Sequence, residues 1–193
     1  AMGYSIIADI SNALVNLLRG ELVPGLVQGG DGIGLCSPDE KGDFVVGINL
    51  YDLEESEEIV SQGMTGRDFA TQAFPSCFLS LYYMITVYSA SDLKFRQTEE
   101  QRIMGRIIQA LRDTPVITPG MLGEGKEQGT YKIKVELQKI DRYEKVRLWN
   151  YPNVPFKPSL YYKIYPVEVR SRRTREVRRV MDLEFSLEEK TRE

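Results

Sequence analysis

The sequence contains no histidine in its 193 residues. That absence removes the commonest general base, His-activated nucleophiles and His-ligated metals together. Cysteine is nearly as scarce: Cys36 and Cys77 are the two present. They are too far apart to build a structural zinc site by themselves, and their apolar, strand-like surroundings read as buried free thiols rather than a disulfide. Long hydrophobic runs are also lacking. The longest, Cys77 to Tyr88, is broken by polar groups and falls short of the roughly 18 apolar residues a membrane helix needs, so no membrane partner is expected. No positively charged segment precedes an apolar one at the N-terminus, so no secretory signal is visible. Internal repeats and low-complexity tracts are absent as well.

What is present is an ordinary globular composition, 42% hydrophobic and 27% charged. This fits one domain over 4–193, with Ala1–Gly3 as a cloning remnant or N-terminal arm. The net charge of −3 conceals an asymmetry: residues 1–90 hold 12 acidic and 3 basic side chains, a net −9, and residues 91–193 hold 16 and 22, a net +6. If the two halves occupy different faces, the molecule has an acidic side and a basic side.

The chain reads as α+β: a mixed, largely antiparallel sheet with helices packed on it. Ile6, Ile7, Ile10, Leu14, Leu17 and Leu18 make one helical stripe over Tyr4–Leu18, with Gly20 placed to end it. Ile33–Cys36 and Phe44–Tyr51 read as strands joined in a hairpin through the turn residues Ser37–Gly42. Asp52–Thr71 shows no clear element and reads as a long irregular loop, a kind that is usually functional or mobile. Cys77–Tyr88 is apolar on both sides, as a central strand must be. Thr98 and Gln101 form a capping-box pattern that starts a helix carrying Ile103, Met104, Ile107, Ile108 and Leu111 and stopping at Pro115. Its stripe most simply lies on the preceding strand. Val116–Thr118 is a short strand, and Tyr131–Gln138 alternates with Tyr131, Ile133, Val135 and Leu137 inward. Asp141 caps a short helix up to Trp149. Leu160–Val169 switches its apolar parity across Pro166, which calls for a bulge or sheet edge. Val177–Leu187 alternates again, and a turn at 170–176 would close a C-terminal hairpin spanning 160–187.

No stretch carries a reaction. Gly120–Glu127 matches the spacing of a phosphate loop except at its last position, where Glu127 stands in place of the magnesium-binding Ser or Thr; a strand rather than a helix follows, so a flexible loop is the better reading. The carboxylates of Asp52, Glu54, Glu55, Glu57 and Glu58 lack the Asp/Asn and Gly pattern of a calcium loop and read as a solvated acidic segment. No cofactor is implied. Arg170, Arg172, Arg173, Arg175, Arg178 and Arg179 are the strongest charge cluster. Without interleaved aromatics, and in an acidic chain, they fit a protein contact better than nucleic acid, with plain solvated charge as the other reading. Tyr82, Tyr83, Tyr161, Tyr162 and Tyr165 look like a binding platform, but in strands they are more often core or interface residues.

Four stretches taken in order resemble one family. They are the Ser5–Leu18 helix, the Phe74–Tyr88 strand, the Ile103–Leu111 helix ending at Thr114-Pro115, and Trp149-Asn150 followed by Ser159–Tyr162. Together they are similar to the tail-terminator, or cap, proteins of extracellular contractile injection systems, relatives of phage tail terminators. The likeness runs from about residue 4 to about 180, and some members of that family carry further domains after this part. It implies a phage tail-terminator-like α+β fold and no enzyme activity. The expected role is a homohexameric ring on the last layer of tube and sheath that caps the distal end and fixes tube length. The implied partners are further copies, tube and sheath proteins, with assembly in the cytoplasm before residence in the particle. Glu54, Glu55, Glu57, Glu58 and Arg67 on the 52–71 loop, with the six arginines from Arg170 to Arg179, are the candidate contacts. A baseplate or tube-joining adaptor of the same machine, or a small-ligand module using the cleft under that loop, are the alternatives.

Overall fold

A computed structural model describes residues 3–57, 59, 63–66 and 71–176. In order, the elements are α1 (Ile6–Leu22), β1 (Ile33–Leu35), β2 (Val46–Glu55), β3 (Thr65–Gly66), β4 (Thr71–Ala73), β5 (Cys77–Val87), α2 (Leu93–Asp113), β6 (Val116–Ile117), β7 (Ile133–Leu137), α3 (Arg142–Leu148), β8 (Leu160–Val169) and β9 (Thr174–Glu176). The main sheet runs β1-β2-β5-β8-β7-β6, and a small second sheet runs β3-β4-β9. In the main sheet every pair is antiparallel except β1–β2. The fold is therefore the mixed, largely antiparallel α+β arrangement that the periodicities predict.

β5 lies between β2 and β8, and its alternation splits the core in two. Leu81, Tyr83, Ile85 and Val87 face one way, into the large core with Ile10, Leu14 and Leu18 of α1 and Ile103, Ile107 and Leu111 of α2. Met84 faces the other way and joins Trp149 and Tyr161 in a smaller cluster under α3. Asp141 caps α3 as expected, its carboxylate accepting the Glu144 N–H at 2.9 Å. Trp149 then donates from Nε1 to Val154 O at 3.0 Å and stacks edge-on against Tyr151 and Phe156. The β5–β8 register passes from Leu79↔Val167 to Leu81↔Ile164, so the bulge called for at Pro166 is present. Tyr83, Tyr161, Tyr162 and Tyr165 are buried, which makes most of the tyrosine row core rather than platform.

Several local expectations are corrected. α1 does not stop at Gly20 but continues to Leu22. A mid-helix glycine costs ~1 kcal/mol against alanine, and burying Leu22 side-chain surface offsets it with ~2 kcal/mol; Leu22 is 1% exposed. β1 and β2 pair in parallel, not as a hairpin. Phe44, expected in the strand, instead folds back over β1: a Cβ at Gly34 would lie 2.3 Å from its ring, so the Cys36–Val45 connection crosses the strand rather than turning tightly. α2 begins at Leu93 with Asp92 as N-cap, leaving Thr98 inside the helix, and it packs beside α1 as well as on the sheet, with Arg106 reaching Glu21 at 2.7 Å. Asp52–Glu55 is not loop but the end of β2, paired with Tyr82, Leu81, Ser80 and Leu79 of β5. Leu137, expected inward, is exposed at the end of β7. Residues 174–176, expected in a turn, form β9 and pair with β4. Val177–Leu187, and with it the outer strand of the expected hairpin, lies outside the described residues.

Candidate assembly surface

The ladder of β5 and β8 ends where Cys77 meets Val169. Beyond it both chains continue, and after short breaks they pair again as β4 and β9, with β3 on the far side of β4. Thr71 faces Glu176, Gln72 faces Arg175 and Ala73 faces Thr174. Phe74 N–H donates to Arg173 O at 3.2 Å, and the Arg173 guanidinium lies 4.3 Å from the Phe74 ring centroid. β3 and β9 are exposed and β4 is half-buried, so this small sheet is an arm standing off the end of the main one.

Two sets of candidates that lie about a hundred positions apart in the chain fall at this end of the sheet. Glu54 and Glu55 sit on the last exposed residues of β2, and Glu57 follows on an exposed turn held by Ser56 N–H donating to Phe78 O at 2.7 Å. Arg170, Arg172, Arg173 and Arg175 run through the connection and β9, all on exposed or partly exposed residues. Glu58, Arg67, Arg178 and Arg179 lie outside the described residues. Glu54, Glu55 and Glu57 of the first half and Arg170, Arg172, Arg173 and Arg175 of the second thus share one end of the sheet.

The base of the arm is fixed by Glu168, a residue the charge pattern did not single out. The residue is 6% exposed. It accepts from Ser76 Oγ at 2.8 Å, Thr130 N–H at 2.9 Å and Thr130 Oγ at 3.2 Å, with Arg170 Nε at 3.4 Å. Burial pushes this carboxyl up, but the Thr130 and Ser76 donors and the Arg170 charge outweigh it and hold it below the usual range. One side chain therefore ties β8, the residue before β5 and the 123–132 loop together. A carboxylate inside the apolar strand Leu160–Val169 was the available signal, since a charge buried there requires partners. The phosphate-loop-like stretch is anchored in turn by Lys126, which meets Asp9 of α1 at 2.9 Å.

On the sheet face that carries Met84, a polar row runs across four strands near the arm. Tyr82 donates to Glu54, the Lys163 ammonium lies 4.1 Å from the Tyr165 ring centroid, and Tyr165 donates to Glu136 at 2.7 Å. Burial, then Glu54, pushes the Tyr82 hydroxyl up to about 12, so it stays a donor at neutral pH. Among the described residues no group of three or more His, Cys, Asp or Glu is arranged to hold a metal ion, and no helix is long and apolar enough to cross a membrane. The surface is thus one of fixed hydrogen bonds and exposed charge.

A sequence profile of the Pvc16 N-terminal domain matches residues 9–182. The chain belongs to that family. Two solved structures share the fold of this Pvc16 N-terminal domain. One is the sheath/tube terminator, in its extended state, of the extracellular contractile injection system PVC: TM-score 0.67 at 17% identity, covering 96% of this chain and 64% of that one. The other is the tube-terminating cap of the anti-feeding prophage: TM-score 0.65 at 18% identity, covering 93% of this chain and 61% of that one. The chain thus spans rather less than two thirds of either structure's length. No curated protein sequence matches significantly. The resemblance drawn from four stretches of sequence holds at the level of family and fold.

Proposed function

We propose that this Pvc16 N-terminal domain acts as a tail terminator: copies of it form a six-membered ring that closes the tube and sheath of a contractile injection system at the end distal to the baseplate and fixes tube length. The observation that carries this reading is a fold match to a sheath/tube terminator over 96% of the chain. The arm supports it, since a protein working through contacts needs charged, exposed, well-anchored elements and this one is tied to the core through Glu168. The chain is a structural component rather than an enzyme. Its partners are other copies, tube and sheath; assembly takes place in the cytoplasm and residence follows in the particle. Glu54, Glu55, Glu57, Arg170, Arg172, Arg173 and Arg175 are the described contact residues, with Glu58, Arg67, Arg178 and Arg179 completing the set. Arg170 is engaged by Glu168 and Arg173 by Phe74, an arrangement that favours a protein surface over a phosphate backbone.

Deleting the gene and imaging the particles tests the proposal. Ragged or overlong tubes without a terminal ring, restored by the intact gene, are the expected result. Tubes of normal length with normal ends would overturn it, and normal tubes lacking baseplates would reassign the protein to an adaptor role.

A further inference from the structure

At the end of the sheet opposite the arm, a cleft of about 360 Å³ opens between the segment after α1 and the start of α2. Leu26 and Val45 form its apolar wall, and Asp31, Asp43, Ser91 and Glu99 its polar one; no Lys or Arg lines it. Asp31 and Asp43 are exposed and make no hydrogen bond or ion pair among the described residues. Glu99 accepts from the hydroxyls of Ser89 and Ser91, and those bonds hold its carboxyl below the usual range, so it is charged at neutral pH. Of the cations on neighbouring segments, Arg96 donates to Ser91 O at 3.3 Å, Arg19 to Ile33 O at 2.9 Å and Lys41 to Gly42 O at 3.2 Å.

Position gives the cleft its meaning. It opens beyond the Val46↔Val87 pair, whereas the arm starts beyond Cys77↔Val169. The 11 residues of β5 separate the two, about 35 Å at ~3.3 Å per residue. Arg172 and Arg175 on the arm are exposed and have no side-chain partner among the described residues. They cannot reach the cleft of their own chain.

We propose that the cleft receives the arginine arm of a neighbouring copy, with the guanidinium groups of Arg172 and Arg175 against Asp31, Asp43 and Glu99 and their aliphatic stems over Leu26 and Val45. The inference rests on the ring reading above and names the two surfaces that meet in it. Guanidinium is the right group for such a cleft, because its planar fork pairs carboxylates while its stem covers apolar surface. The contact is heterologous, one patch meeting a different patch, which is the requirement for a ring that closes by rotation.

Cross-linking tests it. In a Cys36→Ser, Cys77→Ser background, chains carrying Arg175→Cys and chains carrying Asp43→Cys are co-produced with the particle and oxidised. A disulfide-linked pair is expected in purified particles, and none when Asp43→Cys is replaced by Tyr143→Cys on exposed α3. The protein present at the particle end without the Arg175–Asp43 cross-link overturns the arm-in-cleft contact and leaves the terminator reading intact. Absence of the unsubstituted protein from that end overturns both. Independently, Asp31→Lys with Asp43→Lys should lower cap occupancy about tenfold or more, and adding Arg172→Glu with Arg175→Glu should restore it. Failure to restore, with all variants folded by circular dichroism, also overturns the contact.

Discussion

Replacing Glu168 with glutamine is a sharp probe of how the arm is held. The side chain keeps its shape and its burial, but it loses its charge and one of its two acceptor oxygens. Hydrogen bonds to charged groups contribute ~1.5–3 kcal/mol and neutral ones ~0.5–1.5. The present carboxylate accepts three bonds, from Ser76 Oγ and from Thr130 N–H and Oγ, with Arg170 beside it. The amide of glutamine would turn a donor toward Ser76 or Thr130, so the loss should be ~2–3 kcal/mol. For a chain of 150–250 residues this lowers Tm by roughly 5–10 °C. Because the folded carboxyl titrates below its unfolded value, its contribution is fully present above the ordinary glutamate pKa of ~4.3 and is lost as pH falls through the folded value. Urea unfolding of both proteins at pH 7 and in increasingly acid buffers should show a full gap at pH 7 that closes in acid. A gap under ~0.5 kcal/mol at pH 7, or one of unchanged size at the lowest pH, would refute the account of Glu168 as the clamp.

Three further substitutions test the packing around it. Tyr83→Phe removes the hydroxyl that meets Ser11 Oγ at 2.7 Å, while Ser11 keeps its bond to Ile7 O; urea unfolding should register ~1 kcal/mol lost with an unchanged m-value. Gly34→Ala places a methyl 2.3 Å from the Phe44 ring, which must move; a loss of ~1–3 kcal/mol is expected, with recovery when Phe44→Leu is added. Lys126→Ala breaks the 2.9 Å pair with Asp9, whose carboxyl is held low mainly by the hydrogen bond from Lys126. Stability should fall by under ~1 kcal/mol, while limited proteolysis within 123–129 accelerates severalfold.

The elements most legible in the sequence were those whose periodicity is long enough to fix a face. α1 and α2 show apolar stripes over roughly two and a half turns or more, and β5 is apolar on both sides because it is covered on both. Short-range chemistry also read true where one residue decides it, as at the Asp141 cap and the Pro166 bulge. Ends and pairings read poorly for a physical reason: they depend on partners distant in the chain. Gly20 and Thr98 carry local signals to stop and to start, yet burial of Leu22 and an N-cap at Asp92 override them. Nothing local tells Ile33–Leu35 that Phe44 will fold over Gly34 and force a crossover. The Thr-Gln-Ala of β4 has no apolar alternation at all, and it is a strand because β9 stands beside it.

The candidate surface divides in the same way. A run of arginines is visible in one dimension, and so is a run of glutamates, but whether they sit together or apart is a matter of topology. The antiparallel return of β8 along β5 brings Arg170–Arg175 to the same end of the sheet as the end of β2, on the other flank of β5, so these two charged runs share one pole. The opposing acidic pole is assembled from Asp31, Asp43 and Glu99 on three separate segments, none acidic enough to attract notice. The β5–β8 ladder is therefore both the centre of the core and the rod that sets the spacing between arm and cleft. If copies associate through those two ends, a one-residue slip in its register would flip the core faces of β8 and move the arm against the cleft, so packing and assembly are constrained by the same pairs.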